Sequence, residues 1–174
     1  MLKNLLLLIC VSSMSIVAQT GVFPPVKGIT LDNKTVSIPV KNNKHSVIAI
    51  AFHRDAEDEL KKWLNPMYET FIPKQKKAGN FDMSDFHDVN FLFIPMINGF
   101  KKIADEFKSG TDKEFWPYIV DTEKTDIKNL QKALGVTNAK TPYFFVVDKD
   151  GKIIESVSGE YSDEKLEKLE DSIP

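Results

Sequence analysis

Cysteine is almost missing from this chain: there is one, Cys10, and it lies in the first apolar run. A protein with no thiol beyond that point has no disulfide staple, no peroxidatic thiolate and no cysteine ligand for zinc. Histidine is nearly as scarce. His45, His53 and His87 stand far apart and form no HxxxH pair, so the common spacing of a metal site is absent as well. Asp82, Asp85 and Asp88 share one polar stretch but lack the glycine and terminal glutamate of a calcium loop. No glycine-rich phosphate loop, GxSxG motif or basic aromatic patch occurs. The formal net charge of −2 gives nucleic acid no electrostatic footprint to bind. Neither a cofactor nor a metal is expected.

What is present describes an ordinary soluble domain. Of the 174 residues, 42% are hydrophobic and 28% charged, enough for one domain with a single sizeable core. The first residues stand apart. Lys3 supplies a positive start, Leu5 to Val11 an apolar run, and Ser12 to Ala18 a small-residue exit. That is the pattern of a secretory signal peptide cut after Ala18, and the apolar run is short for a membrane span. The expected division is a signal peptide at 1–18 and one domain at 19–174, placed in the periplasm or outside the cell. A competing reading makes Cys10 the acylated residue of a lipoprotein, which would put the chain on a membrane. Against it, Ile9 stands where such signals carry Gly, Ala or Ser, and only nine residues precede the cysteine. Asn33-Lys34-Thr35 matches an N-glycosylation sequon, though the leader has a bacterial look.

In the domain, Phe23-Pro24-Pro25 enters extended, Asp32-Asn33 makes a turn and Thr35 to Ile38 alternates. After a polar turn at 41–44, His45 to Phe52 reads as a fully buried strand. Asp55 is placed to cap the following helix, with Glu57, Asp58 and Glu59 in its first turn. Leu60, Trp63, Leu64, Met67 and Phe71 fall on one helical face. Pro66 is expected to kink or restart that helix and Pro73 to end it. Residues 74–88 are irregular and polar, with a short turn around 83–86, and the Lys74, Lys76, Lys77 run reads as a solvated helix end. Asn90 to Ile97 is a second buried strand, and Asn98 caps a helix that turns Phe100, Ile103 and Phe107 inward. Tyr118 to Asp121 forms a short strand. Asp126 opens a helix with Ile127, Leu130 and Leu134 on one face, closed by Gly135. Tyr143 to Val147 is an unbroken aromatic and β-branched run preceded by Thr141-Pro142, where proline fixes the strand's start. Asp150-Gly151 signals a hairpin and Lys152 to Val157 its return. Ser162 caps the last helix, which buries Leu166, Leu169 and Ile173. Leu60, Leu64, Phe93, Phe145 and Val147 are expected to share one core.

Alternating strand–helix units that end in an antiparallel hairpin predict an α/β fold with a mixed sheet flanked by helices. The Thr-Pro strand, the DxDG hairpin and the closing helix resemble the C-terminal half of thioredoxin-like proteins. That resemblance spans about residues 23–173 and implies a three-layer fold with an N-terminal hairpin and one inserted strand–helix unit at 118–135. It also implies that Thr141-Pro142 is a cis peptide beside the former active site. Phe23-Pro24, Ala51-Phe52-x-Arg54, Trp63-Leu64-x-Pro66 and the segment 130–136 resemble more narrowly the ATP synthase assembly-factor branch, whose members act by binding in an envelope compartment.

In redox-active relatives the first buried strand runs into a WCxxC motif; here that place reads Phe52-His53-Arg54-Asp55. Asp55 either inherits the cysteine's position or is simply a helix cap. His53 and Arg54 follow the C-terminal end of a strand, where open α/β sheets place their crevices. The alternative for them is a plain one, with Arg54 paired to a nearby acid and His53 half exposed. Trp63 reads as core. Phe115 and Trp116 sit in a turn and are either an exposed aromatic anchor or packing. The expectation is a protein without redox cysteines, binding a protein or peptide of the cell envelope through His53, Arg54, Asp55, Thr141 and Pro142. The contrasting expectation is a redox or peroxidase-like enzyme that works without protein thiols.

Overall fold

The computed structural model describes residues 21–72, 88–95, 101–122 and 124–174, with the backbone alone at 101–104 and 107. The expected leader at 1–18 with Cys10, Pro73, the stretch through His87 read from the sequence as irregular with its lysine run, and the expected cap at Asn98 with Phe100 lie outside the described residues, as do the side chains of Ile103 and Phe107.

The chain opens with a hairpin of β1 (Val26–Thr30) and β2 (Thr35–Ile38), turned at Asn33 with φ 67°. β3 (Ser46–Ile50) is buried throughout, and α1 (Glu57–Phe71) follows a 3₁₀ turn at Arg54–Ala56. Then come β4 (Asn90–Ile94), α2 (Lys101–Gly110), β5 (Val120–Thr122), α3 (Ile127–Ala133), β6 (Tyr143–Val147), β7 (Ile153–Ser158) and α4 (Asp163–Asp171). The expected order of elements is therefore present. Asp126 and Ser162 cap α3 and α4 as read from the sequence, each accepting a backbone N–H three residues on. Gly135 has φ 62° after α3, and Gly151 φ 88° in the β6–β7 turn, conformations that an L side chain resists.

The strands form a four-stranded sheet in the order β4-β3-β6-β7 and a three-stranded one in the order β2-β1-β5. In the first, β3 and β4 run parallel, and β6 is antiparallel to both β3 and β7. The inserted strand β5 does not join this sheet's edge along its length. It pairs with β1, and the two sheets touch through a parallel bridge, Phe93 to Ile119, where Phe93 N–H donates to Tyr118 O at 2.8 Å. Gly28 permits the β1–β5 approach, since a Cβ there would lie 2.5 Å from the Asp121 carbonyl oxygen.

The four-stranded sheet divides the core in two. Val47, Ala49, Phe91, Phe93, Phe144 and Val146 face α1 and α4. Ile48, Ile50, Leu92, Ile94, Phe145 and Val147 face α3 and the N-terminal hairpin. The five residues expected to share one core fall in two. Leu60, Leu64 and Phe93 share one core, while Phe145 and Val147 lie on the other face. A strand buried on both sides alternates between them, so one apolar run feeds two layers.

α1 continues through Pro66. A proline inside a helix costs about 3 kcal/mol, and each large apolar side chain buried contributes about 1.5–3 kcal/mol. Leu60, Trp63, Leu64, Met67 and Phe71 are all buried, so the stripe outweighs the break. The helix ends at Ile72, whose φ −112° and ψ 120° are those of a residue kept extended by a following proline. Trp63 is fully buried, stacks on Phe144 with ring centroids 3.9 Å apart, and donates its indole N–H to Gly159 O at 3.1 Å. Trp63→Ala should cost about 3–5 kcal/mol in a denaturant titration. Exposed Lys149→Ala should stay within about 0.5 kcal/mol; equal small effects would mean the stack does not support the fold.

A candidate binding edge at the head of helix one

β3 delivers the chain to the sheet's C-terminal edge, and Phe52 is its last buried residue before three exposed ones, His53, Arg54 and Asp55. The cap at this point is His53, not Asp55. His53 is extended (φ −146°, ψ 150°) and its Nδ1 accepts the Asp55 N–H at 3.1 Å. The 3₁₀ turn moves the start of the helical stretch upstream, so the carboxyl of Asp55 is left to face outward. It takes up a cation instead. Lys140 Nζ lies 2.9 Å from Asp55 Oδ2, and His53 Nδ1 lies 3.3 Å from Asp55 Oδ1. All three side chains are about half exposed or more. The Lys140 ammonium hydrogen-bonded to Asp55 holds that carboxyl below the usual carboxylate range.

Lys140 is the residue the sequence reading missed. It joins the two halves of the predicted edge, for it directly precedes Thr141-Pro142 while its side chain reaches the head of α1. Its place next to the Thr-Pro pair was the signal. Arg54 turns the other way, with its guanidinium 3.9 Å from Glu106 of α2, a long contact between mostly exposed groups and worth little energetically.

Thr141-Pro142 is trans; the cis bond among the described residues is Ile38-Pro39. The reason lies in the turn that precedes β6. Thr141 gives both its N–H and its hydroxyl to Asn138 O, at 3.2 and 2.9 Å, and the Pro142 carbonyl accepts the Gly159 N–H at 3.0 Å. The chain is thus already turned at 138–141 and enters β6 extended, in the ordinary X-Pro isomer. Pro142 is buried and Thr141 half buried. The Thr141 N–H, the Pro142 carbonyl and the Asp55 N–H are engaged within the chain, so these three backbone groups do not face a partner.

The sequence matches the family model described as ATP10 protein over residues 17–173. The chain belongs to the ATP10 protein family. No curated protein matches it. Among solved structures it is similar to the thioredoxin domain of a thiol-disulfide oxidoreductase from Bacteroides vulgatus, at 18% identity and TM-score 0.61, covering 91% of this chain and 99% of that one. It is also similar to BsSco, a member of the Sco family of cytochrome c oxidase assembly proteins, at 13% identity and TM-score 0.55, covering 88% and 94%. A peroxiredoxin-like protein from Aquifex aeolicus matches at 18% identity and TM-score 0.53, covering 88% and 86%. Likeness at these identities establishes the thioredoxin fold.

In this family member the edge offers two cations, one carboxylate and one imidazole, and the described side chains there include no thiol or activated hydroxyl. Phe115, one half of the aromatic turn, is buried and packs edge-on against Tyr68 at 4.7 Å. Trp116 is half buried, donates to Thr111 O at 3.3 Å and lies under Lys108, 4.7 Å from the ring centroid. The turn is therefore largely packing.

The Asp55–Lys140 pair gives a pH dependence with a definite sign. A carboxyl with a depressed folded-state pKa adds stability above its unfolded value, and that contribution is lost as pH falls through the folded value. Lys140→Ala should raise the Asp55 midpoint in a carboxyl NMR titration and leave stability near neutral pH almost unchanged, since the pair is exposed. An unmoved midpoint would show that the pair does not form in solution.

Proposed function

We propose that this protein is a non-catalytic assembly factor of thioredoxin fold. It holds a protein or peptide partner of the cell envelope at the edge formed by His53, Arg54, Asp55, Lys140 and Thr141, with buried Pro142 beneath it. One observation carries the reading. At the strand–helix junction where thiol-active relatives place their cysteines, this chain sets an exposed imidazole and an exposed Asp55–Lys140 ion pair, and its only cysteine is Cys10. Membership of the ATP10 protein family and the likeness to an assembly protein of the Sco family support the assembly role. The leader at 1–18, with cleavage after Ala18, supports export to the periplasm or beyond.

Charged side chains at such an edge act mainly through encounter and register, with more effect on the choice of partner than on the fold. Immobilised protein should capture its partner from an envelope extract, and Arg54→Ala, His53→Ala or Lys140→Ala should each lower that capture severalfold while leaving the melting temperature nearly unchanged. Capture that survives all three substitutions, and is lost on altering Trp116, would move the working surface to the aromatic turn.

A further inference from the structure

The turn that carries Lys140 is fastened from below by one phenol. Tyr143, the first residue of β6, is buried, and its Oη accepts the backbone N–H of Thr137 at 3.1 Å and of Asn138 at 3.0 Å, with Thr137 Oγ1 at 3.5 Å. Its ring is fixed on two sides, edge-on to Phe52 at 6.3 Å and stacked with Phe145 at 6.4 Å. Phe52 is the residue before His53, so the same ring lies against the root of the other half of the edge. From Asn138 the turn closes on itself. Asn138 Oδ1 accepts the Lys140 N–H at 3.0 Å, and Asn138 O accepts the N–H and hydroxyl of Thr141.

The series is continuous: a buried ring held by Phe52 and Phe145, two amides held by its oxygen, a turn held by Asn138, and Lys140 set 2.9 Å from Asp55. We propose that Tyr143 is a positioning residue, whose hydroxyl fixes the 137–141 turn so that Lys140 meets Asp55 and the binding edge stands assembled before a partner arrives. This rests on the binding reading above. Burial pushes the Tyr143 phenol up, yet the hydrogen bonds from the Thr137 side chain, the Asn138 N–H and their neighbours outweigh it and hold the group below its ordinary value. The oxygen is thus a well-satisfied acceptor. A phenylalanine would pack equally well between Phe52 and Phe145, so the hydroxyl is not needed for the core. Without the hydroxyl the Thr137 and Asn138 amides, on an exposed turn, would be left to water, and the turn would lose its tie to β6 rather than the core its packing.

The test is Tyr143→Phe, read beside Lys140→Ala and the unaltered protein. Tyr143→Phe should raise the Asp55 carboxyl midpoint toward its ordinary value, in the direction Lys140→Ala takes it, and should lower partner capture severalfold while the chain stays folded. A Tyr143→Phe protein whose Asp55 titrates as in the unaltered chain, while Lys140→Ala moves it, overturns the proposal. Hydrogen exchange on the unaltered protein decides the case even if the variant does not fold. The Thr137 and Asn138 amides should exchange about tenfold or more slower than unprotected amides, as a retained hydrogen bond requires; exchange at the unprotected rate overturns the proposal. The two readings separate cleanly. A shifted Asp55 midpoint with unchanged capture keeps the positioning role and removes the binding role. Capture lost in Lys140→Ala but intact in Tyr143→Phe, with Asp55 unmoved, keeps the binding role and removes the positioning one.

Discussion

Trp63 is the joint on which the rest of the molecule hangs. Its ring lies flat on Phe144 of β6 and meets Tyr161 edge-on at 5.2 Å, and its single donor reaches Gly159 just beyond β7. Burying an indole without a partner for its N–H would forfeit much of the gain from its large apolar surface. Gly159, with φ 91°, turns its carbonyl to the indole while its own N–H goes to the Pro142 carbonyl. One residue thereby binds α1 to β6 and to the β7–α4 connection, and fixes the start of β6 at the same time. The position of the Thr-Pro segment beside the head of α1 follows from that packing.

The edge itself is built by two independent supports. The Trp63–Gly159–Pro142 links hold it from the α1 side of the sheet, and the Tyr143 phenol holds the 137–138 amides from the α3 side. Between them stands a short turn whose only long reach outward is Lys140. In thiol-active members of the fold, the helix head and its amides stabilise a thiolate. Here His53 accepts the Asp55 amide and the Asp55 carboxylate pairs with Lys140. The proposed edge presents charged groups and an imidazole where thiol-active proteins of this fold carry a sulfur, an arrangement that would favour choice of partner over bond-making.

Much of this was legible in the residues. The Tyr143 to Val147 run, the Asp150-Gly151 turn, the Ser162 and Asp126 caps and the α1 stripe are local signals, and each stands where its pattern placed it. What escaped was non-local. A buried strand reads the same whichever of its residues face one layer or the other, so Phe145 and Val147 were grouped with Leu60 although they lie across the sheet. Thr141-Pro142 is trans and follows a turn closed on the Asn138 carbonyl, a contact that no motif announces. Asp55 looked like a cap because acids favour helix starts; the partner that drew it outward, Lys140, is distant in sequence. His53, Arg54 and Asp55 were legible as an edge by topology, and Lys140 and Tyr143 became visible only when the two halves met.

If a partner meets this protein at the head of α1, site-directed photo-crosslinking in the native cell will catch it there. A photoreactive residue at position 54 should give a discrete protein adduct, and the same residue at exposed position 149 on the β6–β7 turn should give none. Adducts formed equally at both positions, or none at 54 under conditions where the protein is folded and expressed, would place partner contact elsewhere than the head of α1.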